Sequence, residues 1–185
     1  MRPIHVLALS GSLRQASTNT AMLTMAAACA PSPLVLGVHP GLGALPLFNP
    51  DLEALPPPAV AEWQRSVARA DALLIASPEY AHGVSGVMKN ALDWLVSSGV
   101  MVDKPVAVWN ASPRATHALA ALHETLTVMA ARIVPEAELT LLIRPLDVGV
   151  QPPNPDPDAM AQALQRLRYC LPGGAAAPPV GRRAP

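Results

Sequence analysis

The chain has 185 residues, enough for one domain with a substantial core. Its 13 basic and 13 acidic residues cancel, and the basic ones are scattered, which excludes the electrostatic footprint of a nucleic-acid or anionic-membrane binder. Two cysteines, Cys29 and Cys170, read as buried free thiols in helices, forming neither a disulfide framework nor a metal motif.

Ile4 to Leu9 is a short apolar run closed by Ser-Gly, the pattern of a buried strand. The apolar run after Arg2 stops there, so no secretory leader is expected. A helix over Thr20 to Ala30 follows, ended by Pro31 and Pro33. Leu34 to Val38 is the second strand. Pro40 to Pro58, rich in Gly and Pro, is long for a loop in a compact domain and points to a functional or interface role. The second helix runs from Ala59 to Ala70, with Val60, Trp63 and Val67 on its apolar face. Ala72 to Ala76 is the third strand, and a helix over Val87 to Ser97 follows its loop. Lys104 to Trp109 is the fourth strand, followed by a helix carrying Leu119, Leu122, Leu126 and Met129. Glu138 to Ile143 is the fifth strand. Asn154-Pro155-Asp156 introduces a last helix bearing Met160, Leu164, Leu167 and Leu171. From Pro172 the composition collapses to Pro, Gly and Ala, which predicts a disordered tail. The longest apolar region, Val84 to Val96, is interrupted by Lys89, Asn90 and Asp93, and no stretch approaches the roughly 20 apolar residues that cross a bilayer. A soluble cytoplasmic protein is expected, without nucleic-acid or membrane partners.

Five strands alternating with five helices predict an α/β fold with helices on both faces of a parallel sheet. In such sheets ligands bind at the carboxyl ends of the strands, at the switch point. In the order 2-1-3-4-5, loops one and three are neighbours across that point. Loop one carries Ser10, Gly11, Ser12, Arg14, Ser17 and Thr18 ahead of a helix. Hydroxyls, a guanidinium fork and a helix N-terminus together suit an anion such as phosphate. The same residues also serve as a helix cap and turn. Neither a P-loop nor a three-glycine dinucleotide fingerprint is present.

Gly11-Ser12-Leu13-Arg14 with Ser17 and Asn19 resembles the phosphate loop of the NAD(P)H-dependent FMN reductases. Ser77-Pro78-Glu79-Tyr80 with Gly83, Gly86, Lys89-Asn90-Ala91 and Asp93-Trp94 resembles that family's second signature. The likeness runs from Ile4 to about Leu171. It implies a flavodoxin-like FMN-binding domain over residues 1–171, with 172–185 as the tail. It also implies bound FMN and NAD(P)H as co-substrate, with a quinone or similar small molecule as electron acceptor. Two further functions fit the same pattern: a one-electron carrier, and a flavin reductase supplying reduced FMN to a partner monooxygenase.

Carried over position by position, Ser10, Ser12, Leu13, Arg14, Ser17, Thr18 and Asn19 would hold the FMN phosphate and its approach. Pro78, Glu79, Tyr80, Ala81, His82 and Gly83 would line the isoalloxazine, and Ser112 would stand on the third flavin-contacting loop. The sequence departs from the family in three places. Ala81-His82 stands where Asn is frequent, and Ser85 replaces a proline, which is expected to loosen the loop. Pro113-Arg114-Ala115-Thr116-His117 replaces a Gly-Gly pair and an arginine.

No side-chain base is needed for hydride transfer, so none is assigned. His82 is the candidate donor to the flavin or a quinone oxygen, against the reading of a solvated loop histidine. Glu79 reads as a loop anchor. Lys89 and Asp93 read as a surface ion pair. Trp94 with Leu92, Leu95 and Val96 suggests a homodimer contact, or deep burial within one chain, and a tetramer is also open. His117 and His123 lack matched ligands, and no metal is expected.

Overall fold

The computed structural model describes residues 2–143 and 156–171. The predicted tail from Pro172, and Asn154-Pro155 before the last helix, lie outside the described residues.

Strand β1 is Ile4–Ser10, β2 is Leu34–Val38 and β3 is Ala72–Ala76. Two short strands, β4 (Glu79–Tyr80) and β5 (Gly83–Val84), form a separate antiparallel hairpin. Strand β6 is Pro105–Asn110, β7 is Arg132–Ile133 and β8 is Leu139–Thr140. The main sheet is parallel in the order β2-β1-β3-β6, with β7 and β8 both on the outer edge of β6. This is the flavodoxin-like order 2-1-3-4-5. Strand β7 pairs the start of β6 through Val106↔Ile133, and β8 pairs its end through Trp109↔Leu139.

The fifth strand therefore begins at Arg132 and is interrupted, where the sequence predicted one run from Glu138. Pro135 has no N–H for the ladder, and Pro135–Ala137 turn into a 3-10 helix instead. Trp109 fills the break by donating its indole N–H to the Ala137 carbonyl at 2.8 Å.

Helices α1 (Thr18–Ala28) and α5 (Pro157–Tyr169) cover one face; α2 (Pro58–Arg69), α3 (Gly86–Asp93) and α4 (Thr116–Val128) cover the other. Strand alternation distributes the core. Ala72, Leu74 and Ala76 join the α1/α5 side, while Leu73 and Ile75 join the α2–α4 side. Both faces being buried explains why the strands read as continuous apolar runs.

Trp63, Trp94 and Trp109 are each 1% exposed, so truncating any one to Ala should cost about 3–5 kcal/mol. Each indole N–H finds a carbonyl at 2.8 Å: Ala91, Pro46 and Ala137 respectively. Burying these rings therefore leaves no donor unmet.

Several boundaries differ from the sequence reading. Helix α1 starts two residues earlier because Ser17 caps it, its Oγ accepting from Thr20 N–H at 3.2 Å. Helix α3 stops at Asp93, where the chain passes into tight turns that end at left-handed Gly99. Cys29 and Cys170 sit at helix C-caps and are half-buried, not fully buried, although burial still pushes the Cys29 thiol pKa up. Trp94, Leu92 and Leu95 are buried within this chain, and only Val96 of that group is exposed, so deep burial accounts for the pattern. Among the described residues no helix is long and apolar enough to cross a membrane.

Candidate functional site

At the carboxyl end of β1 the chain enters α1 with Thr18 and Asn19 in the first two helical positions. Their amides have no intrahelical partner and stand at the positive end of the helix dipole. Ser10 is buried and its hydroxyl is engaged by Thr20 Oγ1 at 2.8 Å, so it braces the strand against the helix. Gly11 donates its N–H to Ala76 O at 2.8 Å, and a Cβ there would lie 2.8 Å from Ser85 Oγ and 2.9 Å from Ser77 Cβ. The glycine is thus required by the approach of loop one to loop three.

Ser85 does not loosen loop three. Its Oγ accepts from Met88 N–H at 3.3 Å, capping α3, and lies 3.3 Å from Ser77 Oγ. Loop three itself is the β4–β5 hairpin, whose two central residues, Ala81 (φ 48°) and His82 (φ 61°), are left-handed. That geometry favours Asn-Gly, and an L-residue pays roughly 1–2 kcal/mol for it. Glu79 holds the hairpin: its Oε2 accepts from Ala118 N–H at 2.8 Å, inside the first turn of α4. The N-cap of α4, Ala115, has no side-chain oxygen to offer, so Glu79 supplies the missing cap from another loop. This is the anchoring role read from the sequence. The His82 ring stacks on His117 with centroids 4.2 Å apart, tying the hairpin tip to the same helix.

Loop four is shaped by Asn110, which is buried. Its Nδ2 donates to Ala115 O at 3.1 Å and its Oδ1 accepts from Ser112 N–H at 3.1 Å.

These loops enclose a cleft of about 450 Å³, within the roughly 300–1,000 Å³ of small-molecule sites. Of the residues predicted for the site, Thr18, Asn19, Pro78, Glu79 and Ser112 line it together. Ser10 and Ser17 are buried braces of loop one. Ser12, Leu13, Arg14, Tyr80, Ala81, His82 and Gly83 stand outside the wall of this cleft, and Leu13 packs over Gly43. Leu142 and Ile143, absent from the sequence-based site, complete the wall. Their signal was positional: they leave the carboxyl end of the fifth strand, on the same side as the other loops.

The Glu79 carboxylate in the cleft wall is engaged by the Ala118 N–H. Two helix N-termini, those of α1 and α4, contribute to its lining, as does Arg114. Arg14 and Arg114 are exposed and have no carboxylate within 4.0 Å among the described residues. Asn19, only 6% exposed, has a buried carbonyl oxygen without a donor among the described residues. Unmet amides, two free guanidinium groups and an acceptor awaiting a hydroxyl fit a ligand with an anionic end and a polyol chain. An FMN phosphate and ribityl chain have that chemistry.

Two other polar features lie elsewhere. A hollow of about 590 Å³ lies between β1, β2 and α2, but its floor is apolar sheet and its Arg69 is committed to Glu62 at 2.8 Å. His123 Nε2 meets Glu138 Oε1 at 2.7 Å, and burial raises the Glu138 pKa against the pull of His123. Among the described residues, no group of three His, Cys, Asp or Glu side chains could hold a metal ion.

The family model of the NADPH-dependent FMN reductases matches residues 4–141. An NAD(P)H-dependent FMN reductase of Pseudomonas aeruginosa is 44% identical over 92 residues, covering 49% of each chain. The NADPH:quinone oxidoreductase of Arabidopsis thaliana is 42% identical over 115 residues, covering 57% of this chain and 56% of its own. The match thus spans about half the length of these curated relatives. Among solved structures, FerB of Paracoccus denitrificans, a flavoenzyme NAD(P)H:(acceptor) oxidoreductase, superposes with a TM-score of 0.66 at 30% identity. That match covers 71% of this chain and 75% of FerB.

Proposed function

Because the chain belongs to the NADPH-dependent FMN reductase family, we propose that it is an FMN-dependent NAD(P)H oxidoreductase acting on a quinone or similar small acceptor. The reading includes a cytoplasmic homodimer with residues 1–171 as its FMN-binding domain. The observation that carries it is the cleft in which the α1 N-terminus and the donorless Asn19 carbonyl meet loops three and four.

Bound FMN supplies acceptance of hydride from the nicotinamide and its onward transfer; the protein supplies position and electrostatics. The amides of Thr18 and Asn19, the hydroxyls of Ser12 and Ser17 and the Arg14 fork would hold the phosphate. The Asn19 carbonyl would take a ribityl hydroxyl. Pro78 and Glu79, with Tyr80 to Gly83 beyond them, would face the ring largely through backbone groups, and Ser112 would close the third side. Glu79 acts on the site by fixing the hairpin to α4. His82, held by the turn and by His117, would be the donor to an acceptor oxygen.

The test is the visible spectrum of the purified protein with FMN, before and after anaerobic NADPH. A perturbed flavin band that bleaches within seconds is expected. An unperturbed band would overturn the reading, and a bound flavin that stays oxidised would replace it with an electron carrier. Arg14→Ala should weaken FMN binding by about tenfold to a hundredfold, the worth of a charge-assisted phosphate contact.

A further inference from the structure

Strand β2 packs one face into the core and leaves the other open. Leu34, Leu36 and Val38 join the core on the α1/α5 side, so strand alternation turns Val35 and Gly37 toward the α2 side. There Val35 is 50% exposed, and a Cβ at Gly37 would meet no atom within 4 Å beyond its chain neighbours. Nothing in the fold calls for a glycine at this position. Its φ is not left-handed, no side chain crowds it, and the register with β1 runs unbroken from Leu34 to Val38, so there is no bulge. Inside a regular strand, the remaining use of a glycine is the close approach of a ligand or another backbone. Gly37 provides a flat floor. Leu7, its ladder partner, continues that floor in the hollow of about 590 Å³, whose wall also carries His5, Ser66 and Arg69. The hollow shares no lining residue with the cleft and falls in the size range of small-molecule sites.

The charge beside the floor indicates the ligand. Arg69 Nη2 lies 2.8 Å from Glu62 Oε1, and Arg65 Nη2 lies 2.7 Å from Oε2 of the same carboxylate. Two guanidinium groups share one carboxylate, which leaves a positive charge on this face of α2 unmatched among the described residues. Asp71, beyond the end of α2, is already engaged by Arg2 and the His5 N–H. An apolar floor with a surplus cation at its rim suits a flat apolar body carrying one anionic group. We propose that the hollow over Gly37 is a second small-molecule site, for an aromatic carboxylate, with the ring on Leu7, Val35 and Gly37 and the carboxylate on Arg69. This site is independent of what the cleft holds.

Isothermal titration of the full chain with naphthoate tests this, with naphthalenemethanol as the uncharged counterpart, each with and without excess FMN. Naphthoate should bind saturably, more tightly than the alcohol, and unaffected by FMN. Gly37→Val should weaken it about tenfold or more by filling the floor, with a melting temperature equal to or above that of wild type. Arg69→Ala, on the exposed surface of α2, should erase the preference for the acid, a loss of about threefold to tenfold. Glu62→Gln should tighten naphthoate by about threefold, because it frees the shared cations. Displacement by FMN, wild-type affinity in the folded Gly37→Val variant, or an unchanged preference in Arg69→Ala would overturn the assignment. So would a wild type that does not bind the acid; a lower sedimentation coefficient in Val35→Asp would then give the face to a second copy.

Discussion

At the amino end of the sheet, Asp71 accepts the His5 N–H at 2.8 Å and pairs with Arg2, while Lys104 Nζ donates to the Ala70 carbonyl at 2.7 Å. At the carboxyl end, the Thr18 and Asn19 amides, the Asn19 carbonyl and the Arg14 and Arg114 guanidinium groups lack partners among the described residues. Polar and charged groups close on each other at one end and are left open at the other. In a parallel sheet this follows from direction: each following helix presents its N-terminal donors at the carboxyl ends of the strands. The open end can bind an anionic ligand because its polar groups are unmet; the closed end stabilises because its groups are met.

The largest expected effect breaks the open end from within. Gly11→Ala drives a Cβ against Ser85 Oγ and Ser77 Cβ. It should cost about 1–3 kcal/mol of stability in urea unfolding and raise the FMN dissociation constant by displacing loop three. Stability unchanged within error would refute the account of that glycine.

The closed end should respond differently. Asp71→Ala removes the acceptor of the His5 amide and the Arg2 partner at a partly exposed site, which should cost about 1 kcal/mol. FMN affinity should stay at the wild-type value. Weakened binding in this variant would show that the two ends are not independent.

The smallest effect concerns pH at the end of β2. Burial lowers the His39 pKa against a smaller opposing pull from Glu62, and His39 Nδ1 accepts the Gly41 N–H at 3.1 Å, which only the neutral ring can do. With the folded pKa depressed, the contribution of this group is present above the unfolded value near 6.5 and is lost as pH falls through the folded pKa. Urea midpoints should therefore fall below pH 6.5, and His39→Phe should flatten that decline. An equal slope in the variant would assign the decline to other groups.

Much of this was legible in the chain. Ile4 to Leu9, Leu34 to Val38 and Ala72 to Ala76 announced themselves because strands buried on both faces need uninterrupted apolar residues. Of Gly11 to Asn19 and Ser77 to Tyr80, the stretches that pointed to a candidate site, Thr18, Asn19, Ser77, Pro78 and Glu79 line one cleft, because a helix N-terminus and its loop need particular residue types at fixed spacing. Those requirements are local, and one stretch of sequence carries them. Other features were not local. Glu79 capping α4 joins residues 39 positions apart, and Asn90 holding Phe48 joins residues 42 apart. The need for Gly11 comes from Ser77 and Ser85 on another strand's loop. The break in the fifth strand depends on Trp109 reaching Ala137, and the share of Leu142 and Ile143 in the cleft depends on where that strand ends. By itself the sequence determined the elements, their order and the chemistry of the loops, since propensity, periodicity and capping act over a few residues. Which unmet group meets which, and which side chains stay in water, was decided only when distant segments packed together.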